Sequence, residues 1–262
     1  MLRISITLCL CIAAAAPFIV PVVNADTETF EKTYDVNPGT RFEIINRDGG
    51  IEITGWDQNR IDIHAVKKTR WGGKLKNVTI EVSPGENFRV ETIPIVRNPK
   101  VTVHYDIKIP YAVIVKHVST SNGRIEIEGT RGDIEVKTSN GAIEVDGSEG
   151  DIDASTSNGA IEFEDIKGFV RAHTSNGAID VKRTAGVIAL ETSNGSIEAD
   201  VLGVRGNGVR LHTSNGAIHL RVDPRLNIDL EAKTSLKGRL GKGGRKVSCR
   251  TSNGAIGLSR LK

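Results

Sequence analysis

A single tetrapeptide, Thr-Ser-Asn-Gly, occurs seven times, beginning at Thr120, Thr138, Thr156, Thr174, Thr192, Thr213 and Thr251. The first five copies are spaced by 18 residues, and Thr234-Ser235-Leu236-Lys237-Gly238 stands as a degenerate copy before the last. A fixed period near twenty residues marks a stacked-repeat architecture, in which no unit buries its apolar face alone and each is completed by its neighbours. The composition fits such a stack: 28 glycines supply turns, and 4% aromatic content leaves thin, aliphatic packing.

The unit from Gly141 to Asn158 shows how the repeat works. Two short alternating strands are separated by two Gly-containing turns, with Ile143 and Val145 apolar on the first strand and Ile152 and Ala154 on the second. The first-strand pairs elsewhere are Ile125/Ile127, Ile161/Phe163, Ile179/Val181, Ile197/Ala199, Ile218/Leu220 and Ile256/Leu258. The second-strand pairs include Ile134/Val136, Val170/Ala172, Ile188/Leu190, Val209/Leu211 and Val247/Cys249. Each tetrapeptide Thr follows such a pair by two residues, so the two-residue side-chain period turns it inward. Asn-Gly is also a strong hairpin signal, which makes an antiparallel meander the rival architecture. A meander needs well over about ten strands in one open sheet with its apolar face uncovered. A parallel solenoid instead places equivalent residues in contact about 4.8 Å apart, where their identity is useful. The sequence therefore predicts an all-β, parallel β-solenoid of 18-residue, two-strand coils over residues 111–262.

Residues 26–110 alternate less regularly, as in Arg41-Phe42-Glu43-Ile44-Ile45 and Ile61-Asp62-Ile63-His64-Ala65-Val66, and read as half-buried strands capping the solenoid. Asn46 to Ile53 resembles a rough repeat unit, and Lys67-Lys68-Thr69-Arg70-Trp71-Gly72-Gly73-Lys74 reads as an exposed loop. Residues 1–25 have a basic start, an apolar middle and the small-residue stretch Val23-Asn24-Ala25, the pattern of an export signal peptide. Pro17 and Pro21 argue against the rival reading of a retained spanning helix. Cys9 and Cys11 lie within that leader, which leaves Cys249 alone in the mature chain and no internal disulfide to form.

The tetrapeptide units, the segment Gly50-Ile51-Glu52-Ile53-Thr54-Gly55-Trp56-Asp57 and the export leader together resemble the bacterial adhesin-like β-strand repeat family nicknamed toastrack. The resemblance spans nearly the whole mature chain. It implies a parallel β-solenoid at the cell envelope or outside it, and it brings no catalytic residues.

Among candidate sites, the asparagines Asn122, Asn140, Asn158, Asn176, Asn194, Asn215 and Asn253 would align at one corner. Asn and Gly tolerate left-handed backbone, and stacked amides bond from coil to coil, so this row reads as a structural turn. Outward threonines would suit an ice-binding face, but the inward parity here argues against one. The outward position of the first strand reads Glu126, Glu144, Glu162, Asp180 and Glu198, and the next reads Glu128, Asp146, Glu164, Lys182 and Asp200. Stacked, these rows put nine carboxylates on one sheet face, a solvated anti-aggregation surface or a binding surface for Ca²⁺ or a cationic partner. The Gly-Gly-x-Gly-x-Asp Ca²⁺ repeat is absent from the sequence, and no metal or cofactor is expected. After Glu231 the chain holds only basic charges, Lys233, Lys237, Arg239, Lys242, Arg245, Lys246, Arg250, Arg260 and Lys262, as expected for protecting a terminal sheet edge. The same cluster also suits contact with anionic polymer, lipid headgroups or another copy's acidic face.

The six histidines show no metal-ligand spacing, and no nucleophile motif or phosphate loop appears. A net charge of +3 gives no reason to expect a nucleic-acid binder. The expectation is a non-enzymatic, exported, envelope-associated adhesin-like scaffold with a polysaccharide or protein partner and scope for self-association. A carbohydrate-active enzyme using solenoid carboxylates and a structural envelope-stress component are the alternatives.

Overall fold

The computed structural model describes residues 26–232 and 236–261; the leader, with Cys9 and Cys11, lies outside them. The N-terminal strands are β1 (Thr27–Asp35), β2 (Arg41–Ile45), β3 (Ile51–Trp56), β4 (Arg60–Thr69), β5 (Val78–Ser83), β6 (Asn87–Pro94) and β7 (Val101–Pro110). The repeats supply β8 (Ile114–Ser119), β9 (Ile125–Glu128), β10 (Ile134–Lys137), β11 (Ile143–Asp146), β12 (Ile152–Asn158), β13 (Ile161–Glu164), β14 (Phe169–Asn176) and β15 (Ile179–Lys182). They continue as β16 (Gly186–Asn194), β17 (Ile197–Val201), β18 (Val209–Asn215) and β19 (Ile218–Val222). The chain ends with β20 (Ile228–Ala232), β21 (Leu236–Leu240), β22 (Arg245–Asn253) and β23 (Ile256–Arg260).

The strands form two sheets. Sheet A has the order β1-β4-β7-β3-β9-β11-β13-β15-β17-β19-β23, and sheet B has β21-β20-β22-β18-β16-β14-β12-β10-β8-β2-β6-β5. Each regular coil runs along sheet B, turns at Thr-Ser-Asn-Gly, and runs along sheet A. Pairing between coils is parallel, so the Asn-Gly corners join different sheets and are not hairpins. Register matches residue type to residue type: Ile51, Ile125, Ile143, Ile161, Ile179, Ile197, Ile218 and Ile256 form one continuous ladder in sheet A. Facing it in sheet B are Ile44, Val118, Val136, Ala154, Ala172, Leu190, Leu211 and Cys249. The two rows form a narrow apolar interior that is buried from Phe42 to Cys249. Ile256, the ladder's member on edge strand β23, is partly exposed.

The tetrapeptide does more than turn the chain. Its Thr is buried in every copy, as the parity requires, and its hydroxyl donates to the corner-Gly carbonyl of the preceding coil. The bonds are Thr138 to Gly123, Thr156 to Gly141, Thr174 to Gly159 and Thr192 to Gly177, all 3.0–3.1 Å. The reason for Gly differs from the expectation of left-handed backbone. Among the described residues the non-Gly positions with positive φ are Lys100, Asp165 and Arg183, and none is a corner Asn. Gly is needed because the coils approach closely. A Cβ on Gly177 would overlap the Gly159 carbonyl oxygen, 2.5 Å from its carbon and 3.0 Å from Ala160 N. Left-handed backbone occurs instead at the opposite corner, at Gly129, Gly147, Asp165 and Arg183.

Two further expectations are corrected. Ile188 does not pair inward with Leu190: a bulge opposite Val170/Arg171 makes Ile188 the extra residue, and Val187 is buried in its place. The degenerate copy does not form a coil corner. Leu236–Leu240 runs antiparallel to β20 and forms the edge of sheet B, with Thr234 and Ser235 outside the described residues. Spatial order also departs from chain order at both ends. The β6–β7 coil lies outside β2–β3, and β22 inserts between β18 and β20. Among the described residues antiparallel pairing is confined to these ends, in β1–β4, β4–β7, β5–β6 and β20–β21. The end nearest β1 holds an aromatic group, Tyr34 edge-on to Phe88 at 5.2 Å and Phe42 stacked on Phe88 at 6.0 Å.

Candidate functional site

The outer face of sheet A carries the two acidic rows in register. Glu126, Glu144, Glu162, Asp180 and Glu198 align by strand pairing, as do Glu128, Asp146, Glu164 and Lys182. The strands place them there because every alternate residue belongs to the buried isoleucine ladder. Adjacent like charges on such a face repel by about 1 kcal/mol at water-like dielectric.

The structure modifies the expected run of nine carboxylates. Arg124 reaches both Glu126, at 3.4 Å, and Glu144. Lys182 pairs with Asp180 at 2.6 Å, and Arg221 bridges Glu198 at 2.7 Å and Asp200 at 2.5 Å. Asp200 is no surface group at all, since it is buried beneath that guanidinium. Arg183 binds Glu164 together with Asp165. Two of these cations come from outside the rows, Arg124 just before a first strand and Arg183 at the corner after one, whereas Lys182 and Arg221 stand within the second row, Arg221 in register with Asp200. Pairing of this kind is invisible in the repeat pattern. What remains is a patch around Glu128, Asp146 and Glu162, in a shallow depression of about 290 Å³ that also touches Glu126, Glu144 and Glu164. No three acidic, His or Cys side chains converge to hold a metal ion among the described residues.

The corner asparagines form one continuous amide ladder. Asn140 donates to Asn122 at 2.8 Å, Asn158 to Asn140 and Asn176 to Asn158 at 2.9 Å. Asn194, Asn215 and Asn253 continue it, each donating to the asparagine of the coil before. At the other end Asn122 donates to Asp48 Oδ1 at 2.6 Å, so the corner of the N-terminal coil joins the same row. These amides spend their hydrogen-bonding capacity on each other.

Sequence reasoning missed a groove of about 660 Å³ on the outer face of sheet B. Arg205, Gly206, Asn207 and Gly208, from the loop between β17 and β18, line it together with Arg171, His173, Glu191 and Arg210. Its one sequence signal is the lengthened interval from Thr192 to Thr213. Its charges are matched internally. Arg205 lies 4.3 Å over the Phe169 ring and pairs with Asp151, and Arg171 pairs with Asp153 at 3.1 Å. Burial pushes the Asp151 carboxyl up, but Arg205 and the Phe169 N–H outweigh it and hold the group below its usual range. His173 and His212 face outward beside this groove, and Cys249 is buried, with burial raising its thiol to about 12.

A match to the Toastrack DUF4097 family model runs over residues 39–259. The chain belongs to the Toastrack family. No curated protein matches the sequence. Among solved structures, a candidate adhesin from Bacteroides fragilis is 14% identical, with a TM-score of 0.48, over 89% of this chain and 97% of the other. A candidate cell adhesion protein from Clostridium sporogenes is 11% identical, with a TM-score of 0.29, over 89% of this Toastrack chain and 100% of the other.

Proposed function

We propose that this Toastrack protein is an exported, non-enzymatic scaffold that holds an envelope or extracellular partner against the outer face of sheet A. The observation that supports this reading is the in-register patch of Glu128, Asp146 and Glu162 beside the partly paired Glu126, Glu144 and Glu164. A rigid ladder repeating every coil presents carboxylates at strand spacing, which suits a partner with basic groups on an extended segment.

Capture from an envelope extract tests the reading. Wild-type protein should retain a basic partner that elutes with salt, and Glu144→Gln with Glu162→Gln should lose it. Identical capture by both proteins would refute the acidic face as the contact. Turnover of an acidic or neutral polysaccharide, abolished in the same variant, would favour an enzyme instead.

A further inference from the structure

The exposed loop around Trp71 is not used by the acidic face, and the fold gives it a partner. The segment from Arg70 to Asn77 leads from β4 in sheet A to β5 in sheet B, and residues 95–100 lead from β6 back to β7. Hydrogen bonds tie the two together: Arg70 N–H to Lys100 O at 2.7 Å, Ile95 N–H to Asn77 O at 2.8 Å, and Asn77 Nδ2 to Pro99 O at 3.1 Å. Arg47, at the first Asn-type corner, donates to Arg97 O at 3.3 Å, so the loop pair sits at the head of the asparagine row.

This corner exposes a concentration of large apolar side chains. Trp71 is 81% exposed, Ile95 60% and Val96 42%, three of the five large apolar residues left open to solvent among the described residues. Around them Lys68, Arg70, Lys74, Lys76, Arg97 and Lys100 are all exposed. No acidic residue occurs in 67–80 or 92–105, although acids and bases are nearly balanced in the chain as a whole. Arg47 has its own carboxylate, Asp48, at 3.6 Å.

Exposed Trp and aliphatic side chains ringed by cations of one sign match the interfacial zone of an anionic bilayer, where indole sits at headgroup level and Lys and Arg meet phosphate. Within the two loops no acid offsets these cations; Asp26 and Asp48 approach only from outside them.

We infer that the Trp71 and Ile95 loops form a peripheral docking site for an anionic lipid surface, with Trp71, Ile95 and Val96 entering the interface. Docked at this corner, the solenoid presents its sheet faces away from the loop pair, free for another partner.

The test uses the full chain with Trp56→Phe, which leaves Trp71 as the sole indole; a Phe keeps the ring that Arg60 and Lys108 overlie. Phosphatidylcholine vesicles with brominated acyl chains are prepared with and without phosphatidylglycerol. Trp71 emission should shift to the blue and be quenched by the anionic vesicles, and salt should reverse both. Lys74→Gln with Arg97→Gln should raise the lipid concentration for half-maximal quenching about 25-fold, at about fivefold per cation. An inserted leader, which carries no charge after Arg3, would quench Trp71 on pure phosphatidylcholine as well, so the requirement for phosphatidylglycerol isolates this corner. An absence of quenching would overturn the inference. Equal quenching on pure phosphatidylcholine, unchanged by the double neutralisation, would also overturn it. A shift produced by soluble polyphosphate without vesicle quenching would replace the bilayer by an anionic polymer.

Discussion

Replacing Gly177 by Ala tests the claim that close approach of the coils, and not left-handed backbone, imposes glycine on the corner. Ordinary contact for a Cβ begins at 3.4 Å, whereas one on Gly177 would lie 2.5 Å from the Gly159 carbonyl carbon. The neighbours are backbone, so relief requires the corners to part by about 1 Å, which takes hydrogen bonds near 3 Å out of range. Three bonds cross that gap: Gly159 N–H to Asn176 O at 3.0 Å, Thr174 Oγ1 to Gly159 O at 3.0 Å, and Asn176 Nδ2 to Asn158 Oδ1 at 2.9 Å. At about 1 kcal/mol each the loss is about 3 kcal/mol, in the same range as overpacking of a tight interior. For a chain of this size that lowers Tm by roughly 6–12 °C. Thermal unfolding followed by circular dichroism measures it. Gly238→Ala is the control, since its Cβ would meet only Leu230 Cβ at 3.8 Å and should leave Tm unchanged. Gly177→Asn discriminates between the causes, because Asn tolerates left-handed backbone but still carries a Cβ. A Tm for Gly177→Asn close to wild type would refute the reasoning.

Other outcomes follow from the same geometry. Asn158→Ala removes the amide that donates to Asn140 and accepts from Asn176, and at this exposed corner should cost about 1 kcal/mol in urea unfolding. Glu162→Gln removes a like charge between Glu144 and Asp180 and should stabilise by a few tenths of a kcal/mol at low salt, a gain that salt should erase. Stability should fall at alkaline pH. Burial raises the Tyr105 phenol, bonded to Thr92 at 2.6 Å, and the Cys249 thiol, each to about 12. Both folded values exceed the unfolded ones, so their contribution is complete below about pH 9 and is lost as pH rises through about 12. In a pH series of urea midpoints, Tyr105→Phe should remove the part of that loss that sets in above about pH 10.

Alternation of Ile143, Val145, Ile152 and Ala154 within an 18-residue period was enough to specify two-strand coils, the inward threonines and parallel stacking, because identical units benefit only when equivalent residues touch. The asparagine row was legible for the same reason. Other features depended on contacts between residues distant in sequence. The acidic face looked unbroken along its first five coils, yet Arg124 and Arg183 reach it from outside the rows and Arg221 from the next coil, and they leave a patch around Glu128, Asp146 and Glu162. No periodicity foretold that β6–β7 would lie outside β2–β3, or that the degenerate copy would close sheet B as an antiparallel edge.

The sequence alone determined the repeating unit, since period and parity are local properties that the backbone converts directly into strands and corners. Only the tertiary structure decided why the corner residue is glycine, since that depends on a carbonyl 18 residues earlier in the neighbouring coil. Likewise only the folded chain brings the Trp71 loop and the Ile95–Val96 loop to one basic corner, because two loops that cross between the sheets meet there through hydrogen bonds no motif encodes.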